Sequence, residues 1–277
     1  MNITIKAGLA SAIAATTTIA LATSVHAADL YRGGSLKDGY APVHQAAPSI
    51  AGPCYLRGDV GYSWSGDPTA NYVGNGTDPK VHGASLDNGA VWEAGIGCGS
   101  GSRGLRGDIT VGFRTDRDFK GDVDIIIPNV GPIDPPIKTT LDTYTVMLNG
   151  YYDLGNYRGF VPYVGAGVGI AMHRMGYVQI DHPASPNPQD GDTRAEFAWA
   201  LMAGVGYQVT SNAILDIGYR YIDMGSAHSS RTDMFAQQFA AWNPKLVVDD
   251  IDAHEFKVGL RYHFGSSSDC CGYAPMK

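Results

Sequence analysis

Eight stretches of this chain alternate with a period of two, and in each of them the central run of one parity carries no Asp, Glu, Lys or Arg. They are Cys54–Ser65, Val91–Gly99, Gly104–Arg114, Asp142–Leu154, Val161–Met175, Glu196–Val209, Asn212–Asp223 and Ala253–Phe264. Period-two alternation puts successive side chains on opposite faces of a strand. On the third stretch Leu105, Gly107, Ile109, Val111 and Phe113 share the uncharged face; on the fourth Tyr144, Val146, Leu148, Gly150, Tyr152 and Leu154 share it. A soluble sheet that shows such a face to water has no reason to exclude charge from it. A lipid-facing one must, because Lys or Arg at mid-bilayer costs roughly 2–4 kcal/mol. Each stretch also has the ~10 residues that a tilted strand needs to cross the apolar band.

The connections alternate in length. Ser100–Arg103, Gly155–Phe160 and Thr210–Ser211 are short, whereas Gly66–Ala90, Thr115–Leu141, Gly176–Ala195 and Met224–Asp252 are long. Tight turns on one side and long loops on the other are the pattern of barrels that cross an outer membrane. Aromatic residues fall at both ends of the uncharged faces, where amphipathic rings prefer the two interfaces. Trp64, Trp92, Phe113, Tyr144, Trp199, Tyr221 and Phe256 mark one end; Tyr152, Tyr207, Tyr262 and Phe264 mark the other. The expected fold is all-β: an eight-stranded antiparallel up-and-down transmembrane barrel over 54–264, with short periplasmic turns and long extracellular loops.

The N-terminus has the form of an export signal over 1–27. Lys6 is a positive start, Leu9 to Leu21 is apolar, and Val25-His26-Ala27 supplies a small residue before a cut. Residues 28–53, rich in Pro, Gly and Ala without periodicity, are expected to form a flexible periplasmic leader. Beyond the signal no run of ~20 apolar residues remains for a membrane helix. The net charge of −7 argues against a nucleic-acid partner.

The opposite parity carries the charge. Its acids are Asp59, Glu93, Asp108, Asp216 and Glu255, and its bases are Arg57, Arg106, Arg220, Lys257 and Arg261. Many glycines lie between them, in a chain with 36 glycines in 277 residues against a usual ~7%. An eight-stranded barrel is only wide enough for its side chains to fill, and buried charges must be paired. The expected pairs are Asp59 with Arg261 and Glu255 with Arg220. A plug held by ion pairs is favoured over a narrow ion path. Cys54 opens the first strand and Cys98 closes the second at the same rim, with outward parity; in an oxidising periplasm they are expected to form a disulfide. Cys270 and Cys271 stand in the tail, 265–277.

Three segments together carry a resemblance: Tyr55-Leu56-Arg57-Gly58-Asp59-Val60-Gly61-Tyr62; Tyr151-Tyr152-Asp153-Leu154-Gly155 with Phe160-Val161-Pro162-Tyr163-Val164-Gly165-Ala166-Gly167-Val168-Gly169; and the ending His254 to Phe264. Over Cys54 to Phe264 the chain resembles the alphaproteobacterial outer-membrane β-barrel family, porin-like relatives of the OmpA barrel domain. The resemblance implies an abundant surface protein that supports envelope integrity, set among outer-membrane lipids and lipopolysaccharide and inserted by the barrel assembly machinery. Members of that family have been called porins, adhesins or hemin-binding proteins. Its barrels usually end on a C-terminal aromatic, whereas here a tail follows Phe264.

Other motifs weigh little. Gly99 to Gly104 fits G-x-G-x-x-G, but a dinucleotide site needs a helix after it and a strand follows. His228 with Ser230 is similar to the His/Ser pairs of barrel enzymes that trim lipid A, yet no acid is matched to them. The loops hold many acids, including Asp67, Asp78, Asp87, Asp116, Asp118, Asp122, Asp124, Asp134, Asp249, Asp250 and Asp252. Solvation is the plainer role for these and for the loop histidines His82, His182 and His228, although divalent cations or haem iron are chemically open to them. Ile125-Ile126-Ile127 is apolar for an outer loop and points to an extended hairpin or a partner contact. No enzyme activity, cofactor or metal is expected. A structural barrel whose loops meet host or surface ligands ranks ahead of a narrow channel and of a loop-mediated adhesin or hemin binder.

Overall fold

The computed structural model describes residues 52–74, 79–99, 103–127, 131–181, 188–230 and 244–264. The expected signal segment, nearly all of the leader, the tail with Cys270 and Cys271, and Asp78 and His182 lie outside the described residues. Among those described, alternating Val, Ile, Tyr and Thr side chains favour extended backbone, and fifteen strands form: β1 Cys54–Ser65, β2 Thr69–Val73, β3 Lys80–Leu86, β4 Gly89–Gly99, β5 Gly104–Val123, β6 Ile125–Ile127, β7 Gly131–Ile133, β8 Pro136–Asp153, β9 Phe160–Met175, β10 Gln179–Ile180, β11 Thr193–Gln208, β12 Ala213–Asp223, β13 Ala227–His228, β14 Lys245–Asp249 and β15 Asp252–Phe264.

Eight of them, β1, β4, β5, β8, β9, β11, β12 and β15, pair with sequential neighbours, all antiparallel. The ring closes where β1 meets β15, from Cys54 opposite Phe264 to Ser65 opposite Ala253. Closure leaves no strand edge in the membrane, the condition for a sheet to exist in lipid. The uncharged parity faces outward: Leu105 is 78% exposed and Leu148 59%, values that a water-facing surface would not sustain over a whole barrel wall. On the β8 side this face runs from Tyr144 to Leu154. At about 3.4 Å per residue and a tilt of about 40°, that rises about 25 Å, the height of the apolar band. Farther out, the outward positions turn charged: Asp118 and Lys120 on β5, Lys138 on β8 and Arg174 on β9 are all exposed.

The long connections are not irregular, which corrects the expected strand limits. β5 runs on to Val123 rather than stopping at Arg114, and β8 starts at Pro136 rather than Asp142. A register shift between Arg114 and Arg117 re-phases β5 against β8 where the strand leaves the membrane level. The loops then add strands to this extension: β3 pairs with β5, β2 with β3, β14 with β2 and β13 with β14. Bridges of Gly191 with Ser229 and of Val178 with Gln189 lead back to β10, which pairs with β8. The result is a second ring of strands, an extracellular head. Its interior is apolar, with Tyr72, Phe119, Ile137, Leu141, Leu246 and Val248 all buried. Ile125, within the expected apolar hairpin, is buried in the same core.

Leu148→Lys is expected to destabilise the barrel by about 2–4 kcal/mol, whereas Lys138→Leu, on the same face but above the apolar band, is expected to be near neutral. Urea unfolding in liposomes, followed by heat-dependent gel mobility, checks both.

Candidate functional site

Five strands, β1, β5, β8, β12 and β15, deliver the periplasmic half of the lumen. From β1, Arg57 sends Nε and Nη2 to the two carboxylate oxygens of Asp59, at 2.8 and 2.9 Å. Its Nη1 donates to Asp108 on β5 and to the Tyr151 hydroxyl on β8, each at 2.8 Å. Asp108 also accepts from the Tyr55 hydroxyl at 3.0 Å and from Asn149 at 2.9 Å. Below, Arg106 donates to Asp153 at 2.9 Å and stacks over the Tyr151 ring, 3.9 Å from its centroid. On the far wall Arg261 holds Asp216 through Nε and Nη2.

The extracellular half is a chain of shared carboxylates. Lys257 donates to Glu93 at 2.9 Å, and Arg220 bridges Glu93 at 2.5 Å and Glu255 at 2.7 Å. Arg114 donates to Glu255 at 2.6 Å. Arg117 reaches hydroxyls instead, Ser65 at 3.2 Å and Thr143 at 2.8 Å. All of the charged side chains are buried, where a lost partner leaves an uncompensated charge. A cavity of about 10 Å³ lies among Arg57, Asp59, Tyr151, Tyr163, Asp216 and Lys257, room for about one water molecule.

The ten charged residues singled out from the sequence thus meet inside the barrel. The Glu255–Arg220 contact is present. Asp59 and Arg261 are not partners: on the paired strands Arg57 stands opposite Arg261 and Asp59 opposite Gly259, so Asp59 turns along its own strand to Arg57, and Arg261 turns to Asp216. Arg114, Arg117 and Asp153 escaped the sequence reading. Arg114 and Asp153 have inward parity within expected strands and were open to it; Arg117 lies past the register shift, where simple alternation fails. Three buried tyrosines, Tyr55, Tyr151 and Tyr163, were missed too. They fill the pits that glycine leaves: a Cβ on Gly204 or Gly218 would come within 2.5 or 2.6 Å of the Tyr163 hydroxyl. A disulfide joins Cys54 and Cys98, register partners at the periplasmic rim.

In the head, Ser230 does not meet His228; its hydroxyl donates to the carbonyl of Gly191. His228 Nε2 instead has Ser226 Oγ at 3.3 Å and Glu196 at 3.9 Å. Both neighbours share one ring nitrogen, so His228 cannot relay a proton between them as a nucleophile–base–acid set requires. Burial, then the charges of Lys245 and Arg194, hold the His228 imidazole below its ordinary range. On the loop between β5 and β8, Asp134 is held above the usual carboxylate range by its hydrogen bond with Asp124, which also meets His82. Among the described residues no set of three or more His, Cys, Asp or Glu side chains is placed to hold a metal ion.

A closed barrel with an apolar exterior and a charged interior defines an outer-membrane β-barrel protein. The chain belongs to the family described as "Outer membrane protein beta-barrel domain", whose model matches residues 39–264. It is 30% identical over 160 residues to the outer membrane protein PagN of Salmonella typhimurium, covering 58% of this chain and 65% of PagN, just under two thirds of that relative. An uncharacterized Brucella suis protein is 27% identical over 78% of this chain and 86% of its own length. A Rickettsia bellii protein described as a putative adhesin is 21% identical over 75% of this chain and 86% of its own. Among solved structures, OprG from Pseudomonas aeruginosa superposes with a TM-score of 0.51 at 16% identity, covering 79% of this chain and all of OprG; that likeness bears on the fold alone.

Two outcomes follow from this geometry. Arg261→Met alone strands the Asp216 charge and is expected to cost roughly 3–5 kcal/mol; adding Asp216→Leu should recover most of that loss in a urea-unfolding double-mutant cycle. A histidine with a lowered folded-state pKa binds fewer protons folded than unfolded, so its effect is flat above the ordinary value of 6.5 and turns unfavourable as pH falls below it. Protection factors in 188–230, with exchange rates corrected for the pH dependence of the intrinsic rate, are therefore expected to fall on acidification through that range in the wild type, and less so in His228→Phe.

Proposed function

We propose that this protein is a non-conducting, non-catalytic barrel that anchors a rigid β-structured head above the outer membrane, stabilises the envelope by its abundance in the bilayer, and meets surface or host ligands through the head and loops. The observation that carries this reading is the double occlusion of the lumen: a tier of interlocked Arg, Lys, Asp and Glu side chains beneath an apolar core built from the loops. An ion entering from outside must displace buried aliphatic and aromatic side chains before it reaches the first charge. Side chains pinned by two or more charge-assisted bonds do not move aside cheaply. The head also suits recognition, because a paired sheet presents its exposed turns with less ordering cost than free loops carry. The Rickettsia relative described as an adhesin agrees with that role.

The refolded protein from Ala28 to Lys277, in a planar bilayer, is expected to pass no unitary current after a heat-dependent gel shift has verified folding. Stable current steps that change with Arg261→Ala would sink the occluded reading and favour a narrow channel.

A further inference from the structure

We propose that the end of the leader, Gln45 to Ala51, folds across the periplasmic mouth of the barrel and closes the lumen from below. The two residues that lead into β1 give the direction of the chain. The Pro53 carbonyl accepts from the Gly99 amide at the end of β4, at 2.6 Å, so the backbone is still part of the wall there. One residue earlier, the Gly52 carbonyl oxygen lies 2.9 Å from Nδ1 of His263 on β15. His263 faces inward: it shares parity with Arg261 on its strand, and its ring lies 5.2 Å from that of Tyr55, buried on β1. The chain before Gly52 therefore starts from the mouth of the bore and not from the lipid-facing side of the wall.

Burial agrees. His263 is the next-to-last residue of β15, and Gly52 lies two residues outside β1; at an open rim both would be wetted. Yet His263 is 0% exposed and Gly52 is buried. On the β9–β11 side the rim is covered by its own turn, where Asn156 donates to Gln208 at 3.3 Å. On the β12–β15 side Asn212 donates to the backbone carbonyl of His263, at 3.1 Å, and the bond made by the ring is the one to Gly52. The leader is the segment that arrives at this ring.

The mouth also lacks donors that the leader carries. A carbonyl only accepts, so the hydrogen of the Gly52 contact sits on His263 Nδ1, and in the neutral ring Nε2 is then an acceptor. That Nε2 is buried with no partner among the described residues. Asp153, the last residue of β8, accepts from Arg106 through Oδ1, while its Oδ2 is buried and likewise unmet. Buried acceptors without a donor are costly. The backbone N–H groups of Ser49, Ile50 and Ala51 and the Ser49 hydroxyl are the next donors along the chain. The segment also suits a narrow space. Gln45-Ala46-Ala47-Pro48-Ser49-Ile50-Ala51 carries no charge, and five of its seven side chains are small. It can lie under a lumen that is already filled without burying an unpaired ion.

The test is hydrogen–deuterium exchange, read by mass spectrometry, on the refolded protein from Ala28 to Lys277, together with diethyl pyrocarbonate labelling of its histidines. The amides of Ser49 to Gly52 are expected to exchange about 100-fold or more slower than those of a free peptide. His263 is expected to resist the reagent while the exposed His82 reacts. In a chain that starts at Gly52, its folding verified by heat-dependent gel mobility, His263 is expected to react as well. If the shortened chain does not fold, the exchange profile of the full chain decides. Exchange at the free-peptide rate throughout 45–51 would overturn the closure. So would protection confined to the tail, 265–277, which would make the tail the cover of His263. Neither result bears on the ion pairs above, so the occluded reading of the lumen stands or falls separately.

Discussion

The pairing of β1 with β15 is the constraint on which the rest depends. A sheet in hydrocarbon has no water to satisfy an open edge, so it closes completely or does not insert. Closure at eight strands sets the bore, and the bore sets the interior chemistry. Side chains must fill it, polar ones must find partners inside it, and the backbone must be bare wherever a long side chain crosses. That is why Gly259 stands opposite Asp59 and why Gly204 and Gly218 lie under the Tyr163 hydroxyl. The high glycine content and the buried Arg and Asp residues are two sides of one packing solution.

The lumen is then better described as an assembled salt network than as a blocked pore. Asp108 on β5 holds Arg57 and Tyr55 from β1 and Asn149 from β8, and Arg220 on β12 ties Glu93 on β4 to Glu255 on β15. Such cross-barrel contacts form only when the strands are in register, so they discriminate against slipped closures as well as occupying space. In a sheet, a slip of one residue would turn every charge into the lipid. Register and charge pairing therefore enforce each other.

Much of this was legible in the residues. The parity of Leu105, Ile109 and Leu148 against Arg106 and Asp108 is a direct record of which face meets lipid, because the penalty for error is severe. The same parity carried Cys54 and Cys98 to one rim. What was not legible depends on geometry that alternation does not encode. The partner of Asp59 hinged on how side chains lean along β1, and two arginines face each other where a cation–carboxylate pair looked natural. The inward turn of Arg117 depends on the register shift in β5. The head strands went unread because β2, β3, β13 and β14 are short. Of these only β3 rests on an extended barrel strand, β5; β2, β14 and β13 then follow one upon another from it.

The head changes how the two ends of the molecule should be understood. Below, a charged interior with an apolar exterior suits lipid; above, β5, β8, β9 and β11 keep the same backbone while the preferences invert, to an apolar interior and a charged exterior. The inversion falls where Phe113 and Tyr144 stack edge to face on the outer surface, near the buried Arg114 and Arg117. A single set of strands thus crosses two solvents. The neck between them is the level at which neither solution applies: too dry for hydrated charge, yet still lined by it. A buried guanidinium that rests on hydroxyls, that of Arg117, is what that mismatch leaves behind.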